Sequence, residues 1–302
     1  MDLLVQILLN NIIPIFLAIG AGVALAHLAD VDPSTLSKAV LYVFSPCLVY
    51  TLLTDIEFQS DEVVRIVVAT VANVTISGAL AWAIGRVLGL SRVLTTALML
   101  AAMFTNSGNY GLSLNNLAFG EEALARAAIF FVTNSVLAYT IGIYLASSGR
   151  LTAREALKSL LSIPPIYAAL LALATAVTGI RLPGPVMTSV RILGSASIPV
   201  MLLILGIQIA SARRLVNVRL VGLASSLRLV LGPVVALVLV TLLQLSGPAR
   251  QATVVEASMP TAVMVTVLAT EFDIEPAFVT SSVVLSTLLS PITLTLLIAF
   301  LS

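Results

Sequence analysis

Ten stretches of this 302-residue chain are each apolar over about the length that a helix needs to cross a hydrocarbon core, and this most constrains its fold. Bounded by charges, Gly or Pro, they run over residues 3–27, 35–54, 63–85, 92–117, 122–147, 156–179, 185–210, 219–244, 248–270 and 276–300. In lipid a backbone must satisfy its own polar groups, so runs of this length imply an all-α polytopic membrane protein with ten transmembrane helices. The longest polar interval, Ser147 to Lys158, leaves no room for a domain outside the bilayer. Composition agrees: 59% of residues are apolar and 10% charged, against about 25% charged in a soluble domain.

The same counts exclude several functions. Lys and Arg number 15 against 14 for Asp and Glu, so no basic surplus exists for nucleic acid. One cysteine, Cys47, cannot form an intrachain disulfide, and one histidine, His27, leaves no cluster for zinc or haem, so no metal centre or cofactor is expected. No Ser/His pair, paired Asp or H-E-x-x-H run suggests an intramembrane enzyme, and Asp30 and Asp32 fall in a loop. Ala24-Leu25-Ala26 imitates a signal cleavage site, but Asp2 near the start and the long apolar run predict that span 1 is retained.

Loops after spans 1, 3, 5 and 7 hold Lys38, Arg86, Arg92, Arg150, Arg154, Lys158, Arg213, Arg214 and Arg219; the opposite loops hold Arg65, Arg126, Arg181 and Arg250. Nine against four predicts a multi-pass protein of the cytoplasmic membrane with both termini outside.

The halves resemble each other. Ile13-Pro14-Ile15-Phe16 is similar to Pro164-Pro165-Ile166-Tyr167 at an offset of 151, Ser45-Pro46 to Ile198-Pro199 at 153, and Phe131-Val132-Thr133-Asn134-Ser135-Val136 to Phe278-Val279-Thr280-Ser281-Ser282-Val283 at 147. Two units, 1–149 and 150–302, follow. With five spans each, the second must be inserted upside down, which is the inverted-repeat plan of many secondary transporters.

Both units carry a helix breaker at the same place. Span 4 contains Thr105-Asn106-Ser107-Gly108-Asn109-Tyr110-Gly111, a poor helix former, and span 9 contains Ser258-Met259-Pro260-Thr261. Irregular backbone at membrane depth must be buried in protein or line a wet cavity, so these breaks are expected to meet near the midplane. A half-helix starting near Gly108 to Gly111 would offer free N–H groups to an anion, with Asn106 and Asn109 as neutral donors. The competing reading is close helix packing through small residues.

Ionisable residues at depth usually mark ion or proton pathways. Glu256 lies about 12 Å from the outer end of span 9. It suits proton uptake or Na⁺ coordination with Thr133, Asn134 or Asn73, or an ion pair with Arg228 of span 8. Arg191 reads as an interfacial anchor, and Asp55, Glu57, Asp61 and Glu62 as a solvated face.

Asn106-Ser107-Gly108-Asn109-Tyr110-Gly111-Leu112, followed by Ala118-Phe119-Gly120, resembles the span 4 signature of the auxin efflux carrier family in its bacterial branch. Ala257-Ser258-Met259-Pro260-Thr261-Ala262 resembles its span 9 signature, Ile198-Pro199-Val200 with Leu205-Gly206 its span 7 pattern, and Ser286-Thr287-Leu288-Leu289-Ser290 its last span. Family members usually carry Pro where this chain has Ser113. The resemblance implies the ten-helix inverted-repeat fold shared with bile-acid sodium symporters, and often a homodimer. Helices 1, 2, 6 and 7 would form a scaffold, and helices 3–5 and 8–10 a moving transport domain crossed at helices 4 and 9. It implies export or exchange of organic anions such as auxin-like monocarboxylates or dicarboxylates. Asn106, Gly108, Asn109, Tyr110, Gly111, Asn134, Pro260 and Thr261 become substrate-site candidates, and Glu256, Arg228, Thr133 and Asn73 coupling candidates, with Na⁺ at Glu256. A ligand-sensing receptor and a passive anion channel are the rival classes.

Overall fold

The computed structural model describes residues 2–29, 31–55, 60–147, 163–180, 182–211 and 216–302. Within these, all named elements are helical, and seven helical stretches are long and apolar enough to cross a membrane. We name the helices α1 (Leu3–Leu28), α2 (Pro33–Asp55) and α3 (Asp61–Val87). Then come α4 (Arg92–Met103), α5 (107–119) and α6 (121–146). The second half holds α7 (Pro164–Thr178), α8 (Gly184–Ala210) and α9 (Val218–Leu242). It ends with α10 (Gly247–Ala257), α11 (Met264–Glu271) and α12 (Pro276–Leu301).

Seven rather than ten stretches reach spanning length because breaks divide what remains. Span 4 is split into α4 and α5, and span 9 into α10 and α11, whose 11 and 8 residues are individually too short to cross. Expected spans 4 and 5 also share one 40-residue stretch, Ser107–Ala146, which turns at Gly120 with φ 79° and ψ −169°, a backbone geometry open to glycine alone. The start of span 6, the unit boundary at 149/150, Glu57, Arg150, Arg154, Lys158, Arg181, Arg213 and Arg214 lie outside the described residues.

Local chemistry sets the helix ends. Asp32 caps α2 by accepting from the Ser34 and Thr35 amides at 2.9 and 3.1 Å and from the Thr35 hydroxyl at 2.8 Å. The Thr35 hydroxyl and the two amides hold its carboxyl below the usual carboxylate range. A lowered folded pKa means that this cap is present above the ordinary Asp range and is lost as pH falls below it. Gly179, left-handed at φ 70°, ends α7.

Among the described residues, the following polar contacts join helices in two sets. Within α1, α2, α7 and α8, the Tyr50 hydroxyl meets Thr175 Oγ1 at 3.1 Å, Ser45 Oγ meets Ser197 Oγ at 3.5 Å, and Arg191 donates to Asp55 at 2.8 Å. Within α3–α6 and α9–α12, Arg126 donates to Glu62 at 2.5 and 3.4 Å. In the same set Arg65 donates to the Leu243 carbonyl at 3.3 Å, and Gln251 to that of Leu301 at 3.2 Å. None of these bonds crosses between the sets. Where the sets meet, Ile12, Ile15 and Ile19 of α1 and Leu202 and Leu205 of α8 share an apolar cluster with Tyr110 and Leu114 of α5. The Phe16 and Tyr110 rings there meet edge to face at 6.1 Å.

The expected solvated acidic face is thus partly a set of ties. Glu62 is drawn against the buried Arg126 and Asp55 against Arg191, because both acids sit at helix ends beside a cation from another helix. Asp61 bonds Arg65 at 2.9 Å on its own helix.

In the first set, α1 and α8 touch backbone to backbone: a Cβ at Gly22 would strike the Leu203 carbonyl, and one at Gly206 the Ile19 carbonyl. Helices approach this closely in lipid only through such small residues. Gly206→Ala is expected to cost about 1–3 kcal/mol, since a carbonyl cannot yield as a side chain can. Gly20→Ala, at a site with nothing within 4 Å, is expected to leave stability unchanged or slightly raised. Thermal midpoints in one detergent distinguish the two; equal midpoints would contradict the backbone contact.

Candidate functional site

Poor helix formers on one strand of the chain and Pro260 on the other stop α4 at Met103 and α10 at Ala257. The chain then runs extended on both sides, and the two breaks cross. Thr105 and Thr261 pair as an isolated antiparallel bridge, flanked by Asn106 N–H to Pro260 O at 2.8 Å and Ala262 N–H to Phe104 O at 2.9 Å.

A broken helix in an apolar setting leaves its last carbonyls and first amides in need of partners. The carbonyl side is satisfied. Ala101 O accepts from the Thr261 hydroxyl at 2.9 Å, and Ala102 O and Met103 O from Arg228 Nη1 at 2.6 and 3.4 Å. Phe104 O accepts from Ala262 N–H, as noted, and Thr105 O from Asn134 Nδ2 at 3.2 Å. On the other break, Val254 O accepts from the Ser258 hydroxyl at 2.6 Å, and Ala257 O from Arg228 Nη2.

The amide side is open. The first bonds of α5 run from the Tyr110 and Gly111 amides back to Asn106 O, at 3.3 and 3.0 Å, so the Ser107, Gly108 and Asn109 amides have no acceptor among the described residues. Asn106 does not cap them with its side chain, and its own Nδ2 is buried without a partner. Ser107 is 2% exposed, Asn106 4% and Gly108 buried, so bulk water does not reach this part of the turn, whose half-buried residue is Asn109. Orphaned donors at the positive end of a helix form a receptacle for an anion.

Beside it lies a group of the opposite kind. Glu256, fully buried on α10, accepts through Oε1 from Asn115 Nδ2 at 3.0 Å. Its Oε2, the Asn115 Oδ1 and the Thr253 hydroxyl one turn earlier are all buried without partners. A Cβ at Gly111 would run into the Glu256 carboxylate, so glycine there lets α5 and α10 close on each other. Oxygen acceptors without donors suit a proton or a hard cation.

The predicted residues divide accordingly. Asn106, Gly108 and Pro260 lie at the crossing, and Asn109 is the half-buried side chain of an otherwise buried run. Gly108 faces the Phe131 ring, which a Cβ would strike. Thr261 is spent on structure, its amide donating to Ser286 Oγ at 3.1 Å and its hydroxyl to Ala101 O. Tyr110 points away, toward Phe16 and Ser290. Asn134 gives both amide protons to the crossing, to Thr105 O and to Ser107 Oγ at 3.1 Å, and keeps Oδ1 unpartnered.

Of the residues expected around Glu256, Thr133 bonds its own helix at Ile129 O, and Asn73 donates to Gly232 O of α9 at 3.1 Å. Arg228 does not pair with Glu256; the half-helix carbonyls take its donors instead. The partner that sequence reading missed is Asn115. Its position four residues after Gly111, whose carbonyl it also bonds at 3.0 Å, was the available signal.

A family model described as membrane transport protein matches residues 7–298. The chain is 33% identical over 275 residues to an uncharacterized transporter of Methanothermobacter thermautotrophicus, covering 90% of each chain. It is 26% identical over 262 residues to an uncharacterized transporter of Methanocaldococcus jannaschii, covering 84% of this chain and 85% of that one.

Asn134→Leu should expose two buried acceptors at the crossing and cost about 1–3 kcal/mol. Thr133→Val, which removes only a bond within its own helix, should change stability by less than about 0.5 kcal/mol. Thermal midpoints of the two variants measure the difference, and a more damaging Thr133→Val would refute this account of the neighbouring pair.

Proposed function

The chain belongs to the membrane transport protein family, to which the auxin efflux carriers belong, and from that premise we propose that it is a secondary transporter of a small organic anion. The observation that carries the proposal is the asymmetry of the crossing: carbonyls satisfied, amides of Ser107, Gly108 and Asn109 open, Asn106 Nδ2 unpartnered. A carboxylate fills such a set with charge-assisted hydrogen bonds. Asn109 closes over it from the half-buried side, Asn134 holds Thr105 and Ser107 in place through its amide protons, and Gly108, Gly111, Pro260, Thr261 and Tyr110 shape the backbone around it.

Glu256 with Asn115 and Thr253 is the coupling site, taking a proton or one Na⁺ as the anion enters alongside. Opposite charges bound next to each other stabilise each other in a low-dielectric interior, which is the energetic basis of symport. Asn73 acts from a distance, by tying α3 to α9, and Thr133 bonds only its own helix.

The movement proposed is an elevator swing of α3–α6 with α9–α12 against a scaffold of α1, α2, α7 and α8, corresponding to five-span inverted repeats in 1–149 and 150–302. Two features support it. The named polar ties stay within each body, and the contact between them is apolar and non-directional, so sliding breaks no hydrogen bond of that set. Ser45 and Ser197, 152 residues apart and close to the repeat offset, meet across the scaffold as residues beside a pseudo-two-fold axis would. The protein sits in the cytoplasmic membrane with both termini outside, as a homodimer.

Purified protein in liposomes should accumulate radiolabelled mono- or dicarboxylate saturably, with trans-stimulation by unlabelled anion inside. Saturable binding without counterflow would indicate a receptor, and non-saturating flux a channel; either result overturns the proposal. Asn109→Ala should weaken anion affinity by roughly 10–100-fold, the worth of a hydrogen bond to a charged group. Glu256→Gln should abolish the response of flux to the coupling cation while the anion still binds. Full cation response in Glu256→Gln would move coupling elsewhere.

A further inference from the structure

Arg228 is fully buried and, among the described residues, makes no ion pair with a carboxylate. It sits in a π turn of α9, Leu227–Leu231, where the backbone is wider than in an α-helix. From there its guanidinium reaches the Ala102 and Met103 carbonyls that end α4 and the Ala257 carbonyl that ends α10. Both are negative ends of half-helices, pointing at the same place. Gly232, one turn on, is needed for the fit: a Cβ there would strike Arg228 Nη2 and lie 2.8 Å from Ala257 O. Asn73 braces the same turn by donating to Gly232 O.

Two half-helix carbonyl ends converging in a membrane form the kind of group that coordinates a cation in ion-coupled carriers. Here a side chain fills it. We propose that Arg228 is a resident cation of the crossing: the carbonyl site is permanently occupied by the guanidinium, and the chain couples to at most one exchangeable cation, at Glu256. Its acceptor on α10 is the carbonyl of Ala257, the residue that follows Glu256 in the chain. Arg228 is a positioning residue: it holds α4 to α10 and keeps their carbonyls from demanding an ion from solution.

The test is chemical rescue. Purified wild type, Arg228→Ala and Arg228→Lys are compared by thermal midpoint in guanidinium chloride from about 1 to 50 mM, well below the molar range that denatures, against choline chloride at equal ionic strength. Arg228→Ala should melt roughly 5–10 °C lower than wild type, the size expected for orphaning buried partners of a charge. Guanidinium, not choline, should restore part of the loss, and wild type should not respond. An unchanged midpoint in Arg228→Ala, or equal effects of the two salts, overturns the proposal. Should Arg228→Ala fail to accumulate, Arg228→Lys decides, because a retained ammonium should keep the chain folded; a Lys variant that also fails to fold overturns the resident-cation role.

The flux measurement rests on the proposed transport, and the thermal one does not. In liposomes, wild-type flux should depend on coupling cation with a Hill slope no greater than 1, and a slope near 2 would place a second exchangeable cation where Arg228 is assigned. Absence of any flux with intact guanidinium rescue would sink the transport reading and leave the assignment of Arg228 standing.

Discussion

A peptide group without a hydrogen-bond partner costs several kcal/mol in hydrocarbon, and every distinctive feature of this molecule answers to that cost. The apolar runs meet it by being helical, and seven helical stretches among the described residues are long enough to cross a membrane. Two of the runs are interrupted, and the interruptions are tolerated because each supplies what the other lacks: the Asn106 and Ala262 amides bond the Pro260 and Phe104 carbonyls across the crossing. Neither break would be stable alone, so the crossing couples the first half of the chain to the second at a point remote from both in sequence.

The remaining carbonyls recruit the buried polar side chains of the membrane interior. Thr261 in the extended break, Arg228 on α9 and Asn134 on α6 take four of the five consecutive carbonyls from Ala101 to Thr105, and the Ala262 amide takes the fifth, while the amides that open α5 have no acceptor among the described residues. Thorough capping of one half of the broken helix beside a bare second half is the asymmetry on which the proposed anion site rests. The adjoining acceptors of Glu256, Asn115 and Thr253 are bare in the complementary sense, and the nearness of the two groups is what would link one cargo to another.

Much of this was legible in the sequence because the signals are local. Apolar run length gives the spans, and Pro260 and the Asn-Ser-Gly run give the breaks. What was not legible depends on backbone atoms, which carry no residue identity: Arg228 was expected to seek Glu256, the obvious opposite charge, and instead bonds carbonyls that every residue possesses. Asn115 was not singled out, because only the crossing brings a helix 141 residues away against it. The acidic residues Asp55 and Glu62 looked solvated because their cations, Arg191 and Arg126, lie far off in the chain.

The central claim is that the amides of Ser107, Gly108 and Asn109 hold the negative end of a bound guest. Residue-resolved hydrogen exchange of the protein in liposomes, with and without a carboxylate that it accumulates, tests this directly. Those three amides should exchange more slowly when the anion is present and return to their original rate when it is washed out. Protection elsewhere on the chain, with exchange at these positions unchanged, would contradict the account.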